Sequence, residues 1–235
     1  MAGTRQQIAG NVDNGAEGAT RLPAHEVIYR QLRDMVLFGD LTPGEPVTIK
    51  GLADRLGAGM TPVREAIRRL TAEGALDFQG NRRVCVPILG ADGISEITLA
   101  RQWVDPHLAL RATEHAGLED MTELAEIDAT LDAAIARGDL RAYLEQNYRF
   151  HRRLYELARS PILADLAQGL WLRFGPSLRV VCGRMGTQNL PDRHKDMLDA
   201  MRARDAEAAA RAIREDVIQG MEQVRRSLAD PGVSA

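Results

Sequence analysis

The stretch Lys50–Leu76, KGLADRLGAGMTPVREAIRRLTAEGAL, decides the fold class of the N-terminal part of this chain. It reads as a helix, a tight turn and a second helix. Leu52, Ala53 and Leu56 recur at three- and four-residue spacing, which sets one face of a helix over Ile49–Leu56. Thr48 stands where its hydroxyl can cap that helix. Gly57 and Gly59 interrupt the pattern and permit positive φ in the turn. Thr61 is expected as N-cap of the second helix and Pro62 as its first residue, where a missing N–H is harmless. Val63, Ala66, Ile67 and Leu70 then face a core, while Arg64 and Arg68, with Arg69 beside them, make a cationic outer side. An apolar back and a basic front after a short turn suit a recognition helix lying in a DNA major groove.

An ordinary helical hairpin with a solvated charged face would share that pattern. The residues that follow favour the DNA reading. Leu76–Gln79 and Val84–Val86 alternate like short strands, Gly80-Asn81 is a hairpin turn signal, and Arg82 and Arg83 sit at the tip. A basic hairpin directly after a recognition helix is a wing, placed to bring guanidinium groups to phosphates or into the minor groove.

Upstream, Leu22–Phe38 reads as a helix with the stripe Ile28, Leu32, Met35 and Val36, ended by Gly39-Asp40 and the Pro43–Pro46 turn. Residues 1–20 lack periodicity and are expected as a flexible tail. The chain of 235 residues is 45% hydrophobic but only 4% aromatic, so its core is aliphatic and alanine-rich. Its formal charge of −3 excludes a uniformly basic nucleic-acid binder. Residues 50–83 nevertheless hold seven Lys/Arg against four Asp/Glu, so the positive field is local to the proposed DNA face. Cys85 and Cys182 are far apart and are expected as free thiols in a cytoplasmic protein. No apolar run has the length of a membrane span, and the N-terminus has no signal-peptide core.

After a candidate linker at 89–93, the sequence punctuates into helices near Ile94–His115, Met121–Ala136, Leu140–Ala158, Ile162–Phe174, Asp192–Ala203 and Ala206–Leu228. Gly175-Pro176 is expected to end the fourth, and Val180-Val181-Cys182 is ambiguous. The fold class is mainly α: a winged helix-turn-helix over 21–88 with a small β-hairpin wing, then an all-α antiparallel bundle over 94–229. Within the bundle, Asn147 and His151 share a helix face flanked by Leu144, Leu154 and Ala158, which points them inward. His194 and Asp216 are further inward candidates. Together an Asn oxygen, two imidazoles and a carboxylate offer donors for a divalent ion; separately, each also fits an ordinary satisfied polar side chain. Arg101 suits a carboxylate ligand bidentately, or a salt bridge to Asp105 four residues on. Pro106, inside the same helix, should kink it.

TPVREAIRRLTAEGAL, preceded by GDLTPGEPVTIKGLADRLG and followed by QGNRRVCV, resembles the DNA-binding domain of the GntR family of bacterial transcription regulators. NYRFHRRLYELARSP and HKDMLDAMRARDAEAAARAI resemble the helical FadR-type C-terminal (FCD) domain, in its six-helix VanR-like group. The resemblance implies DNA contacts from Arg33, Lys50, Thr61, Arg64, Arg68, Asn81, Arg82 and Arg83. Gly59-Met60 stand where the family usually has Ser-Arg, and Arg83 stands where the wing usually has Gly, which alters the expected operator preference. The resemblance also implies a metal set at Asn147, His151, His194 and Asp216, with an effector carboxylate near Arg101. The common set is Asp and three His; here Asn and Asp occupy the first and fourth places, so the anionic ligand has moved. That swap either makes a harder set, favouring Mg, Mn or Ni over Zn, or marks a site that has lost its metal.

The expected activity is allosteric. A homodimer would match a double-stranded operator with an inverted repeat, acting as a repressor whose affinity a small organic acid lowers, an activator role being equally open because it depends on operator position. The competing class is a metal-dependent hydrolase or lyase built on His151, His194 and Asp216. No nucleophile motif or phosphate-binding loop accompanies those residues.

Overall fold

The computed structural model describes residues 22–80, 83–185 and 192–229. The tail expected over 1–20 and the wing-tip residues Asn81 and Arg82 lie outside the described residues, as does the Cys182 side chain. Helix α1 (Ala24–Leu37) buries Ile28, Leu32 and Val36, the stripe that its spacing predicts. Strand β1 (Val47–Thr48) leads directly into α2 (Ile49–Arg55), where the Thr48 hydroxyl accepts a hydrogen bond from the Gly51 N–H at 3.0 Å. The turn uses positive φ at Gly57 (59°), whereas Gly59 is extended.

The recognition helix α3 spans Met60–Ala72 and is capped by Gly59, with no side-chain cap. The expectation of Thr61 as N-cap is therefore corrected. Gly59 costs little at a cap, and starting there still keeps Pro62 in the first turn, where no intrahelical partner for its N–H is required. Leu32, Leu52, Val63, Ile67, Leu70 and Leu76 are fully buried and form the core of this half. Strands β2 (Asp77–Phe78) and β3 (Arg83–Cys85) pair antiparallel, Phe78 opposite Val84. β1 adds to the other edge of β3, giving the order β1-β3-β2. Cys85 is a buried free thiol that accepts from the Gln79 side-chain amide at 3.0 Å.

Among the described residues six helices follow: α4 (Ala91–His115), α5 (Leu118–Arg137), α6 (Leu140–Leu157), α7 (Pro161–Met185), α8 (Arg193–Arg202) and α9 (Ala206–Ala229). α4 starts inside the segment read as linker and continues through a buried Pro106. α4 lies along α9, α5 along α6, and α8 packs on both α5 and α9. None of the described helices is long and apolar enough to cross a membrane.

The expected helix end at Gly175-Pro176 is corrected too: α7 runs on through both, including the ambiguous Val180–Cys182. Proline removes one helical hydrogen bond, but Trp171, Phe174 and Leu178 around it are buried in the bundle, and that packing outweighs the local penalty. Gly175 has a positional reason. A Cβ there would stand 2.9 Å from the Leu37 carbonyl oxygen, so glycine lets α7 lie backbone-close to α1. Two further contacts tie the halves together. Arg141 donates to both carboxylate oxygens of Asp40 at 2.6 Å, and Phe38 meets Tyr148 edge-on at 6.0 Å.

Candidate functional site: a basic helix face and a histidine-lined cavity

Lys50, Thr61, Arg64, Arg68 and Arg83 are all exposed. Among the described residues none of these four cations enters an ion pair, whereas most arginines elsewhere do. Exposed, uncommitted guanidinium groups on one helix are suited to phosphates and base edges. Arg69 does not share that face. Its guanidinium stacks over the Tyr29 ring at 3.6 Å and donates to Glu26 and Glu73, tying α3 to α1. Arg33 also departs from the expected set. It donates to Asp34 and lines the cleft where α1 faces the bundle, beside Tyr148 and Arg152.

The bundle encloses a cavity of about 520 Å³. Asn147 and His151 reach it from α6, Trp171, Phe174 and Leu178 from α7, His194 from α8, Asp216 from α9 and Arg101 from α4. His151 and His194 are buried, and Asp216 and Asn147 are partly exposed to the cavity. The His151 Nε2 lies 3.1 Å from Asp216 Oδ2, and the His194 Nε2 lies 3.9 Å from the other Asp216 oxygen. One donor atom from each of these three residues falls within 4.8 Å of the others. The structure thus brings together three of the four sequence-predicted donors, with Asn147 one turn away on the same cavity wall.

The environment sorts their charges. Burial depresses the His151 imidazolium, and the Asp216 carboxylate only partly offsets it. Burial also opposes charge on His194, but Asp128, Asp216 and Asp192 together raise its pKa. Burial works against the Asp216 anion, yet hydrogen bonding from His151 and the charges of His194 and Arg101 hold it well below the usual carboxylate range. A persistent carboxylate beside two imidazoles suits a divalent cation. The His194 Nε2 is buried and has no hydrogen-bond partner among the described residues, as suits an atom free to ligate a cation. The residues present therefore fit a metal.

Arg101 serves Asp105. Its Nε and Nη2 donate to Asp105 Oδ2 at 2.9 and 2.7 Å, with both side chains buried. Tyr155 donates to the same oxygen at 3.0 Å, and Trp171 Nε1 donates to the Tyr155 hydroxyl at 3.1 Å. The guanidinium carbon also lies 4.5 Å from the Phe174 ring centroid. The salt-bridge reading from sequence is present, and Arg101 also lines the cavity. Sequence reasoning missed Asp128 on α5, whose Oδ1 lies 3.1 Å from His194 Nδ1. The signal was available: Asp128 occupies an inward position among Leu124, Ile127 and Leu131, where a carboxylate needs a partner.

Comparison with known proteins agrees with this architecture. Residues 24–86 match the model of bacterial regulatory proteins of the gntR family, and residues 96–218 match the FCD domain. The HTH-type transcriptional regulator McbR of Escherichia coli (strain K12) is 28% identical over 197 residues, spanning 83% of this chain and 89% of McbR. The HTH-type transcriptional repressor RspR of the same organism is 24% identical over 205 residues, 87% of this chain and 90% of RspR. The solved structure of E. coli McbR/YncC superposes with a TM-score of 0.82 at 27% identity, covering 88% of this chain and 99% of that one. The chain therefore belongs to the GntR family, with an FCD domain behind its winged helix-turn-helix, and it is a transcription regulator rather than an enzyme.

Proposed function

We propose that this protein is a ligand-responsive repressor, with a divalent cation and a small carboxylate sharing the bundle cavity. The carrying observation is the convergence of His151, His194 and Asp216 on one cavity wall, with an unpartnered His194 Nε2 among them. Asn147, His151, His194 and Asp216 would hold the cation, which supplies a Lewis-acid anchor for a ligand oxygen. With Asp216 as the only anionic donor, the bound cation keeps net positive charge, which favours an organic acid in the remaining space. Arg101, which lines the same cavity, adds a second cationic group.

Helix α7 supports the link to DNA. It lines the cavity through Trp171, Phe174 and Leu178, and it meets α1 through Gly175 at Leu37. α1 in turn packs on the recognition helix α3. A ligand that prefers one setting of α7 would shift the winged helix by its differential affinity for the two settings. The repressor direction follows RspR, which is named a repressor. Exposed Leu99 and Trp103, one turn apart on α4, and Ile162 and Leu166 on α7 offer apolar surface for a second copy, as an inverted-repeat operator requires.

The test is elemental analysis of purified protein beside a His151→Ala variant, with operator binding measured in titrations of small chelating carboxylates. About one divalent ion per chain, lost in the variant, supports the site. No uptake after reconstitution with Ni, Mn, Mg or Zn would overturn it.

A further inference from the structure

We infer that Asp128 is the positioning residue that fixes the His194 ring with Nε2 toward the cavity, and so makes His194 competent as a metal ligand. This deepens the metal reading above and rests on it. Two contacts set the ring. Phe150 stacks on it with centroids 3.9 Å apart and planes 11° from parallel, which fixes the plane of the imidazole. Stacking alone leaves a half-turn flip open, because both faces of an imidazole stack equally well. The flip would exchange Nδ1 with Cδ2 and turn Nε2 away from Asp216. Asp128 removes that choice. Its Oδ1 is 3.1 Å from His194 Nδ1, and both side chains are buried. A buried carboxylate accepts the Nδ1–H, holds the proton there, and leaves the Nε2 lone pair free. That Nε2 is buried with no hydrogen-bond partner among the described residues, and it faces Asp216 and His151.

The supporting frame is local. Asp192 caps α8 by accepting from the Lys195 N–H at 3.1 Å, which fixes the first turn that carries His194. Lys195 in turn bridges Asp192 and Asp132, the latter one turn after Asp128 on α5. The α5–α8 contact is thus built around the Asp128–His194 pair.

The experiment uses the full chain as wild type and as Asp128→Ala, Asp128→Asn and Leu124→Ala. Leu124 is buried on the same helix but lines no part of the cavity, so it controls for loss of packing. Long-range ¹H–¹⁵N correlation of the metal-free protein at alkaline pH reads the His194 tautomer, and calorimetric titration with Ni²⁺ reads affinity. The wild type should show the Nδ1–H tautomer. Asp128→Ala should mix the tautomers and weaken Ni²⁺ about 10- to 100-fold. Asp128→Asn, which can still accept the Nδ1–H, should recover much of both, and Leu124→Ala should change neither. An Nε2–H tautomer in the wild type would overturn the inference, as would unchanged tautomer and affinity in Asp128→Ala. If the wild type takes up no Ni²⁺, the metal reading fails, and the metal-free tautomers still decide the role of Asp128.

Discussion

Replacing Asp105 by Asn should expose how much the buried pair at the cavity wall contributes. Arg101 is 4% exposed and Asp105 is fully buried, and a single Asp105 oxygen receives three donors: Arg101 Nε, Arg101 Nη2 and the Tyr155 hydroxyl. Asparagine keeps the volume and one acceptor but removes the charge. The Arg101 guanidinium then stays in a desolvated position without its counter-ion. Breaking a buried pair from one side costs about 3–5 kcal/mol. Because Arg101 also borders the cavity, water can relieve part of this, and the lower end applies. At roughly 2–4 °C per kcal/mol for a chain of this size, the melting temperature should fall by about 6–12 °C. Differential scanning calorimetry of ligand-free protein measures it. The companion variant Arg101→Met/Asp105→Leu should recover most of the loss, since apolar replacement of a whole buried pair is often neutral. It should also lose the response to a carboxylate effector, because the Arg101 guanidinium at the cavity wall is gone. A melting temperature unchanged in Asp105→Asn would refute the account of a charge held by its partner.

Arg64→Ala should weaken specific operator binding by about 1–3 kcal/mol without shifting the melting temperature, as read by fluorescence anisotropy and calorimetry. Gly175→Val should cost about 1–3 kcal/mol, because its Cβ would meet the Leu37 carbonyl oxygen at 2.9 Å, and should blunt effector-dependent release from DNA even where ligand still binds. Trp103→Glu, at an exposed apolar position, should shift the chain from dimer to monomer in light scattering and reduce affinity for a two-half-site operator more than for a half-site. Tyr29 gives an alkaline prediction: burial and the hydrogen bond to Glu73 raise its pKa from 10.0 to about 12. The stability it lends is complete below the unfolded value and is lost as pH rises from about 10 to about 12, so Tyr29→Phe should flatten the stability profile in that window.

Helical periodicity carried most of the fold, because the buried stripes of α1 and α3 are local patterns in the sequence. What escaped is tertiary in origin. Pro176 reads as a stop in any local window, and only the packing of Trp171, Phe174 and Leu178 explains why α7 continues. Strand β1 is two residues long and exists because the edge of β3 is there to receive it. Arg69 looked like a member of the DNA face because spacing on one helix does not reveal that Tyr29 of another helix waits beneath it. At the cavity, His151, His194 and Asp216 were legible as inward polar positions. Asp128 was not singled out, since its partner lies 66 residues away in sequence. Arg33 followed the family pattern, but here the cleft beside Tyr148 and Arg152 holds it.

The placement of the anionic donor has an energetic consequence for sensing. Asp216 hydrogen-bonds to His151, so the carboxylate and the imidazole compensate each other. The cavity wall can therefore keep its charged groups folded inward without a cation, which an unpaired buried carboxylate could not do. Filling the proposed site exchanges that hydrogen bond for ligation, and the net gain is smaller than the gross coordination energy. His194 is different: its Nε2 has no hydrogen bond to give up among the described residues. Affinity should therefore respond more steeply to the loss of His194 than to the loss of His151. In the proposed site the cation would offer an anchor for the organic acid, so binding of the one would favour binding of the other. Coupling of this kind would make the wall facing α7 responsive to the effector.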